Sequence, residues 1–153
     1  MDGPRSTIVG TPEETKHLGE RLGRAMAVGD VVALIGPLGS GKTTFAQGLA
    51  VGLEVPPDRH VASPTFALVN EHPGRVPFLH ADLYRIAHHA ELAELGLEEA
   101  YDRAACALEW ADRFPHIVPA DHLEVTLATI DAGRRVTFRA TGSRAQALLK
   151  AIL

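Results

Sequence analysis

The chain has 153 residues, of which 46% are hydrophobic and 22% are charged. This length and composition predict one folded domain over residues 1–153 and exclude a mostly disordered chain. A net charge of −4, from 15 basic and 19 acidic side chains, argues against binding of DNA or RNA by charge alone, and no apolar run reaches the roughly 18 residues of a membrane span.

The first ten residues contain one basic residue, Arg5, and no long apolar stretch. They therefore do not resemble a signal peptide. Cys106 is the only cysteine, which excludes a disulfide scaffold and favours a reducing compartment. We expect a cytoplasmic protein.

A helix is predicted to begin just after Thr11. Thr11 can cap it, Pro12 suits the first helical position, and Glu14 completes a capping box. Apolar residues then follow at helical spacing. The helix is predicted to end at Gly29–Asp30, where glycine is typical of a helix terminus.

A strand, a glycine-rich loop and a second helix come next. The continuous apolar run Val31–Ile35 predicts a strand buried on both faces. The loop Gly36–Lys42 separates it from a predicted helix over Thr43–Val51, with Gly52 as the residue that stops the helix.

The rest of the chain alternates further strands and helices. The predicted strands and buried runs are Phe66–Val69, Phe78–Ala81 after a turn at His72–Gly74, Ala104–Trp110, and Leu123–Ile130 with Arg135–Ala140, joined as a hairpin across Asp131–Gly133. The predicted helices are a broken one at Ala90–Tyr101, interrupted at Gly96, and a last one capped by Ser143. This order favours an α/β fold of three layers with an antiparallel hairpin near its end.

The glycine-rich loop carries the strongest chemical signal. It fits the pattern G-x-x-x-x-G-K-[ST], which binds the phosphates of a nucleotide through backbone N–H groups and the start of the next helix. Lys42 can reach the β- and γ-phosphates, the Thr43 hydroxyl can bind Mg²⁺, and Thr44 can add a hydrogen bond. The predicted nucleotide-binding residues of this loop are Gly36, Leu38, Gly39, Ser40, Gly41, Lys42, Thr43 and Thr44.

Two carboxylates are candidates for the metal and for catalysis. Asp82 ends the run Phe78–Ala81 and Glu109 ends the run Ala104–Leu108, where the ends of parallel strands would face the phosphates. One could hold Mg²⁺ and the other could orient an attacking water. The spacing does not decide which carboxylate has which role.

Two smaller observations refine the site. Thr65, between the loop helix and the next predicted strand, could sense the γ-phosphate, although its segment alone is more typical of an ordinary Ser-Pro turn. Asn70 is the only asparagine, so the N-K-x-D motif that reads guanine in many GTPases is absent and ATP is favoured.

Two other functions stay open on the residues alone. A P-loop small-molecule kinase would need arginines on a lid, and Arg75, Arg85 and Arg103 could serve, but no lid segment is evident. A nucleotide-binding regulatory module without turnover would need only the loop.

Taken together, the motifs resemble the bacterial TsaE (YjeE) family of tRNA threonylcarbamoyladenosine biosynthesis. The matching segments follow one another along nearly the whole chain: Glu13–Thr15 with Leu18–Gly19, Gly36–Phe45, Ser63–Phe66, His80–Arg85 and Glu109–Trp110. The resemblance implies one P-loop domain with a central mixed, mostly parallel sheet. It also implies slow ATP hydrolysis with Mg²⁺ in a complex with TsaB and TsaD proteins, whose transferase the ATP cycle would reset, with tRNA contacted indirectly or within the complex.

The resemblance also implies roles for single residues. Lys42, Thr43 and Thr44 would contact phosphate and Mg²⁺, and Thr65 would be a switch threonine. Asp82 would be a carboxylate near the metal, and Glu109 would be needed for hydrolysis and lie at the metal too. The segment from Thr11 to Thr15 would lie near adenine.

The loop departs from the usual family pattern at two positions. Pro37 and Ser40 stand where the family usually has Asp and Ala. Pro37 has no N–H to offer a phosphate, but neither change removes a residue that the loop pattern requires.

Overall fold

The structure, a computed structural model, describes residues 3–59, 61 and 69–153. One sheet has the strand order β1-β7-β6-β2-β5-β4-β3. Its strands are β1 Arg5–Val9, β2 Val31–Ile35, β3 Val69–His72, β4 Phe78–Asp82, β5 Ala105–Glu109, β6 Leu123–Ile130 and β7 Gly133–Ala140. The helices are α1 Pro12–Ala25, α2 Lys42–Gly52, α3 His89–Glu94, α4 Leu97–Ala100 and α5 Ser143–Ile152, with 3₁₀ turns at Ala111–Arg113 and Pro115–Ile117.

The sheet is mixed and mostly parallel, as predicted. Its four neighbouring strands β6, β2, β5 and β4 are parallel, whereas β7 and β3 run antiparallel to their neighbours. The predicted C-terminal hairpin is β6–β7, which closes with Ile130 opposite Gly133. Parallel pairing brings the carboxyl ends of β2, β4 and β5 to one edge, where open α/β sheets bind their ligands.

Helices cover the two faces of the sheet, which confirms the three layers. On β2, Val32 and Leu34 pack on the side of α1, α2 and α5. Val31 and Ala33 point to the opposite side and pack with α3, α4 and the 3₁₀ turns. Burial on both faces explains why this strand is apolar at every position. None of the helices within the described residues is long and apolar enough to cross a membrane.

Four glycines allow α1 and α2 to touch through their backbones: Gly19 and Gly23 on α1, and Gly48 and Gly52 on α2. A Cβ at Gly19 would lie 2.4 Å from the Phe45 oxygen, and one at Gly23 would lie 2.3 Å from the Leu49 oxygen. α2 ends at Gly52, the residue predicted to stop it, and a Cβ there would lie 2.2 Å from the Glu20 oxygen. Gly52 therefore also serves the contact between the two helices.

The predicted end of α1 and the predicted cap of α5 are wrong. α1 ends at Ala25, and a separate turn follows in which the Asp30 carboxylate accepts a hydrogen bond from the Ala27 N–H at 2.8 Å. At α5, Ser143 is the first helical residue and its side chain makes no cap. Asp121 accepts the first N–H groups of the helix instead, those of Arg144 and Ala145, at 2.9 and 3.0 Å.

Strand boundaries differ from prediction at the ends of the sheet. β1 was not predicted; it pairs antiparallel with β7 at the sheet edge. Of the predicted strand Phe66–Val69, residues 66–68 lie outside the described residues and Val69 lies in β3. β3 continues to His72, the first residue of the predicted turn at His72–Gly74. His72 remains in the strand because it pairs with Phe78. The broken helix at Ala90–Tyr101 is confirmed, with Gly96 in the left-handed region at φ 67° between α3 and α4.

Candidate functional site

The glycine-rich loop joins β2 to α2 at the carboxyl edge of the sheet. Gly41 precedes α2 with φ at 105°, a conformation that L side chains rarely adopt. At Gly36, φ is 156° and a Cβ would lie 2.6 Å from Ser40 Oγ and 2.5 Å from the Leu127 oxygen. Both glycines are therefore required by the shape of the loop.

A cleft of about 400 Å³ opens above this loop. It gathers most of the predicted site residues: Thr11, Thr15, Leu38, Gly39, Gly41, Lys42, Thr43, Thr44, Asp82 and Glu109. Gly36 and Ser40 do not line it. The Gly36 carbonyl oxygen accepts a hydrogen bond from Lys42. Ser40 is a buried residue of the loop, and its hydroxyl has no hydrogen-bond partner among the described residues. Thr65 lies outside the described residues, so its switch role stays a prediction.

Lys42 is held inside the loop by three contacts. Its Nζ donates hydrogen bonds to the Gly36 and Pro37 oxygens at 2.5 and 3.0 Å. The same Nζ lies 4.2 Å from the centre of the Trp110 ring, in a cation–π contact. Burial lowers the pKa of the Lys42 ammonium, and the nearby charges of Glu109 and Asp82 oppose that shift. The ammonium is thus held where the glycine-rich loop lines the cleft.

Asp82 and Glu109 lie side by side, because they are direct partners on β4 and β5. Glu109 is buried, and its Oε1 lies 3.4 Å from the Thr43 hydroxyl, which can donate to it. Its other oxygen, Oε2, lies 2.5 Å from Nε2 of His80. Asp82 is nearer the surface and accepts the Tyr84 N–H at 2.9 Å. The predicted carboxylates therefore meet beside the predicted magnesium ligand Thr43.

The start of α1 also lines the cleft, through Thr11, Pro12 and Thr15. Thr11 Oγ1 accepts the Glu14 N–H at 3.2 Å, and Glu14 Oε2 accepts the Gly10 N–H at 2.7 Å, so the predicted cap of this helix is confirmed. Thr15 is buried and its methyl group would lie 3.7 Å from a Cβ at Gly41. The start of α1 therefore lies directly against the loop.

Several residues of this cleft were not predicted, and the side chains of three of them, Tyr84, Trp110 and Arg134, make contacts within it. Arg134, on β7, donates from Nε to the Ser40 oxygen and from Nη2 to the Gly39 oxygen, each at 3.2 Å. Tyr84 and Trp110 pack with ring centres 4.8 Å apart at the cleft mouth. The available signals were the family-like segments His80–Arg85 and Glu109–Trp110, which contain Tyr84 and Trp110; nothing local in the sequence marks Arg134.

Fold and site together define the class. The P-loop class of α/β proteins is defined by a strand, a G-x-x-x-x-G-K-[ST] loop and a helix in succession. This chain has that succession in a mostly parallel sheet with helices on both faces. The family model described as "Threonylcarbamoyl adenosine biosynthesis protein TsaE" matches residues 9–136. The chain belongs to this family, which confirms the resemblance seen in the sequence.

Individual relatives agree with this family. A "tRNA threonylcarbamoyladenosine biosynthesis protein TsaE" from Bacillus subtilis is 38% identical over 140 residues, which cover 90% of this chain and 86% of the relative. One of the same description from a Nostoc species is 40% identical over 141 residues, covering 88% and 85%. The crystal structure of YdiB from Bacillus subtilis superposes with a TM-score of 0.82 at 33% identity, covering 99% of this chain and 95% of that one. The chain therefore has a role in tRNA threonylcarbamoyladenosine biosynthesis.

Proposed function

We propose that this chain binds ATP in the cleft above the glycine-rich loop and hydrolyses it slowly. The observation that carries the proposal is the meeting of Lys42, Thr43 and Glu109 at one end of a cleft large enough for a nucleotide. ATP is favoured over GTP because the chain has no N-K-x-D motif.

The loop would hold the phosphates. Its glycines let successive N–H groups point at one anion, and the start of α2 adds the positive end of a helix dipole. Lys42 would exchange the Gly36 and Pro37 oxygens for phosphate oxygens and stabilise the charge that develops during hydrolysis. The start of α1, with Thr11 and Thr15 in the cleft lining, would face the base.

The residues beside the loop fit a magnesium ion. The Thr43 hydroxyl and the carboxylates of Asp82 and Glu109 offer oxygen donors only, which is the set that Mg²⁺ prefers. When bound, the ion would neutralise charge on the β- and γ-phosphates. We propose that Thr43 and Asp82 hold the ion and that Glu109, whose Oε1 lies 3.4 Å from the Thr43 hydroxyl, lies beside it.

Glu109 would orient the attacking water. Its Oε1 is turned towards Thr43, and the carboxylate is buried where few waters compete for it. The water oxygen would bond to the γ-phosphorus while the bond from that phosphorus to the bridging oxygen breaks, leaving ADP and phosphate. Glu109 would accept a water proton in this step.

The ATP cycle would serve a larger complex. We infer that this chain acts with a TsaB–TsaD-type complex and resets that transferase between turnovers, while tRNA is bound indirectly or within the complex. Loss of the γ-phosphate would be sensed by the segment that carries Thr65 and would change the affinity for the partners.

A Glu109→Gln variant separates binding from hydrolysis. We expect it to bind ATP with Mg²⁺ as tightly as the unchanged chain, but to release phosphate about 100-fold more slowly, because the amide cannot take a proton. Titration with a fluorescent ATP analogue and a single-turnover assay measure the two properties. Equal turnover in both proteins would contradict the role of Glu109, and absence of turnover in both, even with partners, would favour a binding module.

A further inference from the structure

A buried histidine stands behind the carboxylate that the proposed hydrolysis uses. His80 lies on β4 between Phe78 and Asp82, and its relative exposure is 0%. Its Nε2 lies 2.5 Å from Glu109 Oε2, and both side chains are buried. Because a carboxylate can only accept, the Nε2–H of His80 donates to Glu109.

The core gains little from an imidazole at this position. His80 lies in an otherwise apolar run, and its Nδ1 has no hydrogen-bond partner among the described residues. Burial of an unpaired polar atom costs free energy, which a leucine of similar size would avoid. The benefit of His80 must therefore come from the bond that it does make, to Glu109.

That bond fixes which way the carboxylate points. A glutamate has three side-chain torsions, and one hydrogen bond to a buried, rigid ring removes most of its freedom. With Oε2 held by His80, Oε1 is left facing the Thr43 hydroxyl at 3.4 Å, on the side of the cleft. The ring itself is fixed, since it stacks 6.1 Å from Phe78 with the planes 9° apart.

We propose that His80 is a positioning residue that orients Glu109 towards the nucleotide and its water. This inference rests on the proposed hydrolysis of ATP. Its support is the chain of contacts from His80 through Glu109 to Thr43. Removal of a residue that orients a functional side chain through a hydrogen bond commonly lowers activity by about 10- to 100-fold.

The test compares three variants with the unchanged chain. His80→Leu removes the donor, whereas His80→Gln keeps an N–H donor of similar reach. His72→Leu is the matched control: it removes another buried imidazole that stacks on Phe78 from the neighbouring strand β3, with no contact to Glu109. Single-turnover hydrolysis gives the rate constant, and a fluorescent ATP analogue gives the affinity.

We expect His80→Leu to lower the rate constant by about tenfold or more with ATP affinity unchanged, and His80→Gln to recover most of the loss. His72→Leu should keep the full rate. In a Glu109→Gln background, His80→Leu should have no further effect, because the two residues act as one unit.

Two results would overturn the inference while leaving the proposed hydrolysis intact. One is a His80→Leu variant as fast as the unchanged chain. The other is an equal further loss when His80→Leu is added to Glu109→Gln, which would mean a general structural effect. If the unchanged chain shows no turnover that depends on Lys42, the proposed function fails and the inference fails with it.

Discussion

Lys42 is held inside the glycine-rich loop by contacts of the protein itself. Its ammonium is tied to two loop oxygens and to the Trp110 ring. These contacts limit its rotamers and keep the ammonium at the loop, where the proposed phosphate contacts would replace the two hydrogen bonds. The backbone of Trp110 is strained, because its φ of 61° is uncommon for a bulky residue.

Arg134, on β7, stabilises the conformation of the glycine-rich loop from outside it. Its guanidinium binds the Gly39 and Ser40 oxygens. The Ser40 C=O and the Gly41 N–H belong to one trans peptide group, in which they point in opposite directions. Because Arg134 binds the Ser40 oxygen, the Gly41 N–H points away from Arg134. We expect Arg134→Gln to weaken ATP binding by about 5- to 20-fold, or 1–2 kcal/mol.

The neighbouring Arg135 supplies the control for that measurement. It is exposed on the same strand and lies outside the cleft lining. Arg135→Gln should bind ATP as the unchanged chain does. Equal losses in the two variants would mean that only the net charge matters and would contradict a specific role for Arg134.

His72 makes stability depend on pH. Burial lowers its pKa, and the positive charge of Arg59 and the nearby His80 lower it further. Between that lowered pKa and the ordinary value of about 6.5, the unfolded chain binds a proton that the folded chain excludes, so stability falls as pH drops through this range. We expect His72→Leu to lose less thermal stability than the unchanged chain between pH 7.5 and pH 5.

Thermal unfolding of both proteins at several pH values tests this expectation. Other histidines titrate in the same range, so the informative quantity is the difference between the two proteins at each pH. That difference should grow in favour of the variant as pH falls. A constant difference would contradict the assignment to His72.

At the scale of elements, the contact of α1 with α2 is the most constrained. A Cβ at Gly48 would lie 2.1 Å from the Lys16 oxygen and 2.9 Å from the Glu20 N atom, both of them backbone atoms. An alanine in an open helix would be favoured by about 1 kcal/mol over glycine. Here the helices would have to move apart instead.

We therefore expect Gly48→Ala to destabilise the protein by about 2–3 kcal/mol, as overpacking in a core does. For a chain of this size the melting temperature should fall by about 5–10 °C. Val51→Ala, at an exposed site of the same helix, should change it little. A more stable Gly48→Ala variant would show that the helix contact tolerates a methyl group.

Elements with strong local patterns were predictable from the sequence, and elements defined by distant partners were not. β2 and β6 have the predicted bounds, because an apolar run and an alternating run each specify a strand. β1 exists only as an edge partner of β7, and the cap of α5 comes from Asp121, 23 positions before Arg144. No window of sequence around Ser143 could reveal that.

At the scale of the whole molecule, topology assembles the site. The loop follows β2, Asp82 ends β4 and Glu109 ends β5, and parallel pairing sets these three ends at one edge. The motif and strand ends predicted this half of the cleft. The family resemblance implied the start of α1 as a further part. The remaining part is made by β1 and the start of β7, whose return to the loop depends on strand order and so escaped prediction.

The central claim is that this cleft hydrolyses ATP on behalf of a complex. The most direct measurement is phosphate release from ATP by the purified chain, alone and with TsaB–TsaD-type partners and tRNA, in parallel with Lys42→Ala. We predict slow release by the chain alone, faster release with the partners, and none from the variant, which loses the phosphate contact. Unchanged turnover in Lys42→Ala, or transfer of the phosphoryl group to a small acceptor instead of water, would contradict the claim.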